Sequence, residues 1–192
     1  MDKMLLIIDP QYDFINGSLS VDGAERCMDN LADFIRQHSD EYIQVVITQD
    51  WHPKTHCSFV ENGGAWPAHC IAETLGSSIW KSIISAIEDS GIEYTILRKG
   101  NLFDREEYSI FRNFVSAPKL VDLIKDSGIE QIDICGIAKD YCVFDTLKDG
   151  IKRLGGKIFN VLIDFTPAIS EDGSKKFDDF LVEHEIKSST FN

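Results

Sequence analysis

Three of the chain's five histidines, His52, His56 and His69, share one segment with Asp50, and the chemistry of the sequence starts there. Imidazole nitrogens presented beside a carboxylate are the donor set that a divalent ion of the zinc, iron or manganese type takes. Asp50 and His52 stand two apart, directly after the apolar run 42–47. On a regular strand such a pair shares a face, and in a loop it can chelate together. The plainer alternative is a polar loop that merely contains histidines. Three of them with an aspartate and Trp66-Pro67 nearby favour a metal site.

Three further reactive residues stand at or near the ends of apolar runs. Asp9 ends the run that begins at Lys3, Lys99 follows 93–98, and Cys142 comes shortly after 129–135. Gly136 permits a sharp exit from that last run, and Asp140 is placed to cap the helix that follows. The thiol would then lie in a first helical turn. Unpaired N–H groups and the helix dipole there favour a thiolate, and the same N–H groups could hold an oxyanion. A nucleophilic thiol needs a base for its proton and an acid for its leaving group; a carboxylate can serve as both, with an ammonium to orient it. Singly, each residue has an ordinary fate, as a buried small side chain, a turn aspartate or a solvated lysine. Cys27, Cys57, Cys70 and Cys135 are read in that ordinary way.

Strands and helices in alternation must bring these groups together. Short apolar runs predict strands at 3–9, 42–48, 93–98, 129–135 and 157–163, and helical periodicity covers 24–38, 78–89, 117–127, 140–154 and 172–185. On 24–38, the stripe Cys27, Leu31, Phe34 and Ile35 marks the buried face. Such alternation predicts an α/β fold, three layers α-β-α, around a mostly parallel sheet. Connections 50–76 and 99–114 are too long for turns, and both leave the carboxyl edge of the sheet, where open parallel sheets bind ligands. No repeat or linker-like tract divides the sequence, so 1–192 reads as one domain.

A net charge of −13 would repel phosphate backbones and acidic membrane surfaces, so neither nucleic acid nor a membrane is an expected partner. No apolar stretch could span a bilayer, and the opening run reads as a strand rather than a signal peptide. Five cysteines without CxxC pairs imply free thiols and a reducing compartment, so the cytoplasm is the expected location. A small molecule is the expected partner, with homo-oligomerisation left open.

In order along the chain, Asp9-Pro10-Gln11-Tyr12-Asp13-Phe14, Asp50-Trp51-His52-Pro53 with Trp66-Pro67-Ala68-His69-Cys70, Lys99-Gly100 with Tyr108-Ser109, and Gly136-Ile137-Ala138-Lys139-Asp140-Tyr141-Cys142-Val143 resemble four motifs of one family. It is the nicotinamidase (pyrazinamidase) branch of the cysteine hydrolases with the isochorismatase-like fold, and the resemblance runs nearly end to end. It implies that Asp9, Lys99 and Cys142 form a catalytic triad. It also implies a cis peptide before Ala138, with the backbone N–H groups of Ala138 and Cys142 forming an oxyanion hole. Asp50, His52 and His69 would hold one divalent ion, zinc first with iron or manganese as alternatives; His56 would be a ligand or lie just outside. Phe14 and Trp66 would sandwich a flat ring under Tyr108, with the metal on the ring nitrogen. Two departures bear on substrate fit: Ile110, where many relatives carry glycine, and Lys139 beside the nucleophile. The implied activity is metal-dependent hydrolysis of nicotinamide to nicotinate and ammonia through a cysteine thioester. Two alternatives stand beside it. One is an amidohydrolase of the same superfamily acting on a carbamoyl or ureido compound, which the metal histidines weigh against. The other is a non-catalytic metal-binding protein, against which the intact triad weighs.

Overall fold

Strand β1 (Lys3–Ile8) serves two cores with one apolar run. Its side chains alternate, so Leu5 and Ile7 join one buried cluster while Met4, Leu6 and Ile8 join another on the opposite face. The computed structural model describes residues 1–191. Around β1 it places β2 (Tyr42–Asp50), β3 (Tyr94–Lys99), β4 (Gln131–Gly136), β5 (Phe159–Leu162) and β6 (Lys187–Ser189) in the order β3-β2-β1-β4-β5-β6. Every pairing between these strands is parallel.

Helices cover both faces. The one-turn α1 (Tyr12–Ile15) follows β1, and α2 (Ala24–His38) and α3 (Lys81–Ser90) bury one side of the sheet. On α2, Met28, Leu31, Ala32 and Ile35 repeat at helical spacing and are buried against Ile83, Ala86 and Ile87 of α3. Cys27, expected on that stripe, lies at its half-buried border. On the other face α4 (Ser116–Asp126), α5 (Phe144–Leu154) and α6 (Glu171–Glu183) contribute Leu120, Ile124, Leu147, Phe177 and Leu181. Each fully buried Leu, Ile or Phe is worth about 1.5–3 kcal/mol, so both layers are held by side-chain burial.

The sequence predicts five strands and the structure has a sixth. β6 is three polar residues, Lys-Ser-Ser, and pairing to β5 rather than any apolar period makes it a strand. α3 starts three residues later than predicted. Trp80 is still extended (ψ 128°), where its N–H donates to the Pro10 carbonyl at 2.7 Å.

Because the strands all run one way, their carboxyl ends share an edge. The strand order doubles back between β1 and β4, which opens a crevice at that edge. Asp9 lies one residue past β1, and the last residues of β2 and β3, Asp50 and Lys99, are register partners.

The middle of the sheet holds a carboxylate of its own. Asp133 of β4 accepts hydrogen bonds from Tyr42 Oη (2.8 Å), Gln131 Nε2 (2.6 Å) and Asn160 Nδ2 (2.8 Å). Ser189 of β6 donates to Asn160 Oδ1 at 2.9 Å, so this network ties four strands together. Burial and then the Asp133 carboxylate push the Tyr42 phenol well above its ordinary value, which keeps it a donor. Asp133→Ala would strand three buried donors; it is expected to lower the unfolding free energy by about 1–3 kcal/mol in urea titrations.

Candidate active site

Lys99 ends β3 fully buried, with its ammonium between two carboxylates. Nζ lies 2.8 Å from Asp9 Oδ2 and 2.6 Å from Asp50 Oδ1, and Cys142 Sγ is 3.5 Å from the same nitrogen. A carboxylate oxygen of Asp9, one of Asp50 and the Cys142 sulfur fall within 4.8 Å of one another. Burial alone would strip the lysine of its proton, but Asp50 and Asp9 outweigh it and hold the ammonium well above its ordinary pKa. For Asp9 burial wins over Lys99, so its carboxyl is raised and is a stronger base than a surface aspartate. Asp9 itself takes a left-handed backbone (φ 46°), a strained choice for a non-glycine residue at a strand end. Thr48 fixes it there. Its Oγ accepts from the Asp9 N–H (3.1 Å) and donates to Asp9 Oδ1 (2.7 Å).

The nucleophile turn leaves β4 through Gly136, where φ is 115° and a Cβ would sit 2.1 Å from the Ile8 carbonyl oxygen. Only glycine fits that exit. The next peptide, Ile137–Ala138, is cis, as the resemblance implies. Two sequence expectations fail here. Asp140 does not cap a helix; its carboxylate accepts from the N–H groups of Ile169 (2.9 Å) and Ser170 (3.0 Å), which ties the turn to the start of α6. Residues Lys139–Val143 form one wide π-helical turn ahead of α5, closed by the Val143 N–H on the Ala138 carbonyl at 3.1 Å. Nor does the turn favour a thiolate at rest. Burial, only partly offset by Lys99, pushes the Cys142 thiol well above its ordinary value. The sulfur therefore rests protonated beside a strengthened base. Lys139 points away from the pocket, its ammonium held by Ser174 Oγ (2.8 Å) and Asp178 Oδ1 (2.8 Å) on α6.

The long loop after β2 folds back on its own start. The His52 N–H donates to the Cys70 carbonyl (3.0 Å) and the Ala72 N–H to the His52 carbonyl (2.9 Å), a short parallel bridge that sets His69 beside His52. Ligand atoms of Asp50, His52 and His69 come within 4.8 Å of one another, all buried. His52 Nδ1 pairs with the Gly100 carbonyl at 2.7 Å and His69 Nδ1 with that of Pro67 at 2.8 Å. A carbonyl only accepts, so both rings carry Nδ1–H and turn Nε2 inward; burial opposes a charge on His52, but Asp50 outweighs it and raises the pKa of that ring. His52 Nε2 is buried without a hydrogen-bond partner among the described residues, 3.6 Å from Asp50 Oδ2. A buried nitrogen without a partner, beside a carboxylate and a second imidazole, is an arrangement a cation would complete, so these residues fit a divalent ion of the zinc class. Burial keeps His69 neutral by lowering its pKa. Asp50 stays ionised: burial opposes this, but Lys99 and His52 hold its carboxyl below the usual range.

His56 stands outside this set. Its ring stacks on His52 at 3.9 Å, and both nitrogens are engaged, Nδ1 by Ser58 Oγ (2.7 Å) and Nε2 by the Arg105 carbonyl (3.0 Å). Burial and the charge of His52 drop its pKa to about 4.

Phe14 lies 5.4 Å from the His69 ring, and the Trp66 indole N–H donates to the Tyr108 hydroxyl at 2.9 Å. Tyr141, which the sequence reading passed over, sets its ring edge-on to both Trp66 (5.1 Å) and Tyr108 (5.5 Å). Ile110 is buried in the core beneath α4 and α5, so its departure from glycine bears on core packing rather than on the pocket. Gln11 was also given no role. Its carboxamide accepts from the Asp50 N–H (2.7 Å) and donates to the Asp50 and Ser77 carbonyls (2.8 and 2.9 Å), clamping the end of β2. A glutamine two residues after Asp9, next to a run of buried apolar residues, was the available signal.

The sequence profile of the isochorismatase domain matches residues 3–177. A nicotinamidase of Saccharomyces cerevisiae is 31% identical over 198 residues, covering 88% of this chain and 90% of its own. Among solved structures, the yeast nicotinamidase bound to the inhibitor nicotinaldehyde superposes with a TM-score of 0.86 at 28% identity, over 98% of this chain and 100% of that one. A pyrazinamidase of Pyrococcus horikoshii in complex with zinc superposes at 0.81 with 27% identity, over 100% of both chains.

Lys99→Met would keep the volume and leave two buried carboxylates facing each other. The expected cost is about 3–5 kcal/mol of folding free energy in urea titrations. A midpoint equal to that of the wild type would show that the ammonium is not what holds this edge together.

Proposed function

The chain belongs to the isochorismatase family, and from that footing we propose that it hydrolyses nicotinamide to nicotinate and ammonia, a step of NAD salvage. The observation that carries the reading is one lysine, Lys99, shared between a carboxylate-thiol pair and an Asp-His-His set. A thiol with its own base is equipped for acyl transfer, and a metal site beside it is equipped to hold a ring nitrogen.

The substrate ring lies between Phe14 and Trp66, with Tyr108 over it. Asp50, His52 and His69 would hold one divalent ion, zinc by the donor set, which would supply a Lewis-acid contact for the pyridine nitrogen. Asp9 takes the proton of Cys142, and the thiolate so formed attacks the carboxamide carbon. The Ala138 N–H, which has no acceptor among the described residues, and the Cys142 N–H receive the oxyanion. Asp9 then gives its proton to the leaving nitrogen, ammonia departs and the acyl group remains on sulfur as a thioester. Asp9 next takes a proton from water, whose oxygen attacks the thioester to release nicotinate and restore the thiol. Lys99 keeps its charge throughout. It neutralises Asp9 when that residue is ionised and stabilises the thiolate in passing. Positioning and oxyanion binding supply most of the rate, because an amide is a poor electrophile. The free thiols, Cys27, Cys57, Cys70, Cys135 and Cys142, fit a reducing compartment, and we place the enzyme in the cytoplasm as a single domain.

A coupled ammonia assay on nicotinamide tests the reading. Cys142→Ala should lower turnover by more than about 10³-fold while zinc still binds. Ammonia release near the wild-type rate in that variant would sink the mechanism. Stripping the metal with a chelator should abolish turnover and added zinc should restore it. Full activity in fully metal-free protein would remove the metal from the account.

A further inference from the structure

We infer that Glu107 is a positioning residue for the metal centre, acting through the Gly100 backbone on the His52 imidazole. The inference rests on reading Asp50, His52 and His69 as the ligands. Glu107 is fully buried, a rare state for a carboxylate, and it lies in the loop after β3 rather than in the catalytic set. Its Oε2 accepts two hydrogen bonds, from the Gly100 N–H (2.9 Å) and from Asn113 Nδ2 (2.8 Å). Its Oε1 is buried without a partner among the described residues.

Gly100 is held from two sides. The Lys99–Gly100 peptide gives its N–H to Glu107 and receives the Trp51 N–H on its carbonyl at 3.0 Å. The next carbonyl, that of Gly100, receives His52 Nδ1–H at 2.7 Å. The fit is close: at φ +63° a Cβ on Gly100 would come within 2.4 Å of His52 Cε1. The direction of His52 Nε2 therefore depends on where the Gly100 carbonyl sits, and Glu107 sets that position. Asn113 supports the arrangement from behind. Its side-chain oxygen accepts the N–H groups of Val115 (3.1 Å) and Ser116 (2.9 Å), which anchors it to the start of α4. A partner that fixes the far nitrogen of a ligating histidine commonly affects metal affinity by 10–100-fold.

A loop anchor with no effect on the metal would show the same contacts, so the test reads the metal directly. Zinc affinity is measured by competition with a chromophoric chelator on the full chain. Glu107→Met, similar in length and without an acceptor, should bind zinc about 10–100-fold more weakly, and Glu107→Gln, which keeps an acceptor oxygen, should recover most of that loss. Wild-type affinity in Glu107→Met overturns the inference. His52→Ala is the control for the reading beneath it: if that variant binds zinc as tightly as the wild type, the ligand set is wrong and the inference falls with it. If His52→Ala loses zinc and Glu107→Met does not, only the inference fails. Should Glu107→Met not fold, amide exchange on the wild type decides. Coupling is reciprocal, so zinc must slow exchange of the Gly100 amide. An amide that exchanges at the same rate with and without zinc overturns the proposal.

Discussion

One ammonium between two carboxylates sets the terms for the rest of the site. Without Lys99, Asp9 and Asp50 would face each other in a region from which water is excluded, and one of them would have to take up a proton. With it, Asp9 can remain a base for Cys142 while Asp50 remains an anion for the histidines. Asp50 is the hinge between the two functions, with Oδ1 on Lys99 and Oδ2 toward His52. On the proposed reading, the acyl-transfer half and the metal half are thus parts of one charge balance rather than neighbouring sites. Burial first, and then the nearby carboxylates, disfavour a thiolate at Cys142, which would add a third negative charge to this group.

The fold makes this balance possible by geometry. In a parallel sheet the carboxyl ends share an edge, and register sets Asp50 opposite Lys99 on adjacent strands. The reversal of strand order next to β1 opens a crevice between Asp9 and the turn that carries Cys142. Backbone extremes gather at this edge: the left-handed Asp9, the Gly136 exit and Gly100 under the His52 ring. Buried side chains hold two of them, Thr48 on Asp9 and Glu107 on Gly100, and Gln11 clamps Asp50 beside them. The supporting shell is therefore as polar as the site it supports.

Much of this was legible in the sequence because it depends on local signals. Apolar runs marked the five longer strands, and the residues immediately after them marked the reactive edge. The parts that were not legible depend on contacts between distant segments. β6 has no apolar period and is a strand only because β5 offers it an edge. Asp140 looked like a helix cap, yet its carboxylate is taken by backbone N–H groups 29 and 30 residues away. Lys139 looked like a pocket residue until α6 supplied Ser174 and Asp178 to hold it. The protonation of Cys142 likewise depends on distant contacts. A helix N-terminus favours a thiolate, but burial opposes one more strongly, and burial is a property of the whole fold.

The covalent intermediate is the most direct test of the central claim. Hydroxylamine added during turnover of nicotinamide should intercept a thioester on Cys142 and divert product from nicotinate to the hydroxamate, as quantified by chromatography. Ammonia release should continue undiminished, because the acyl-enzyme forms before the trap acts. If nicotinate remained the only acyl product at concentrations of hydroxylamine that cleave a model thioester, with ammonia still released, water would be attacking the amide directly. The account built on Cys142, Asp9 and Lys99 would then be wrong.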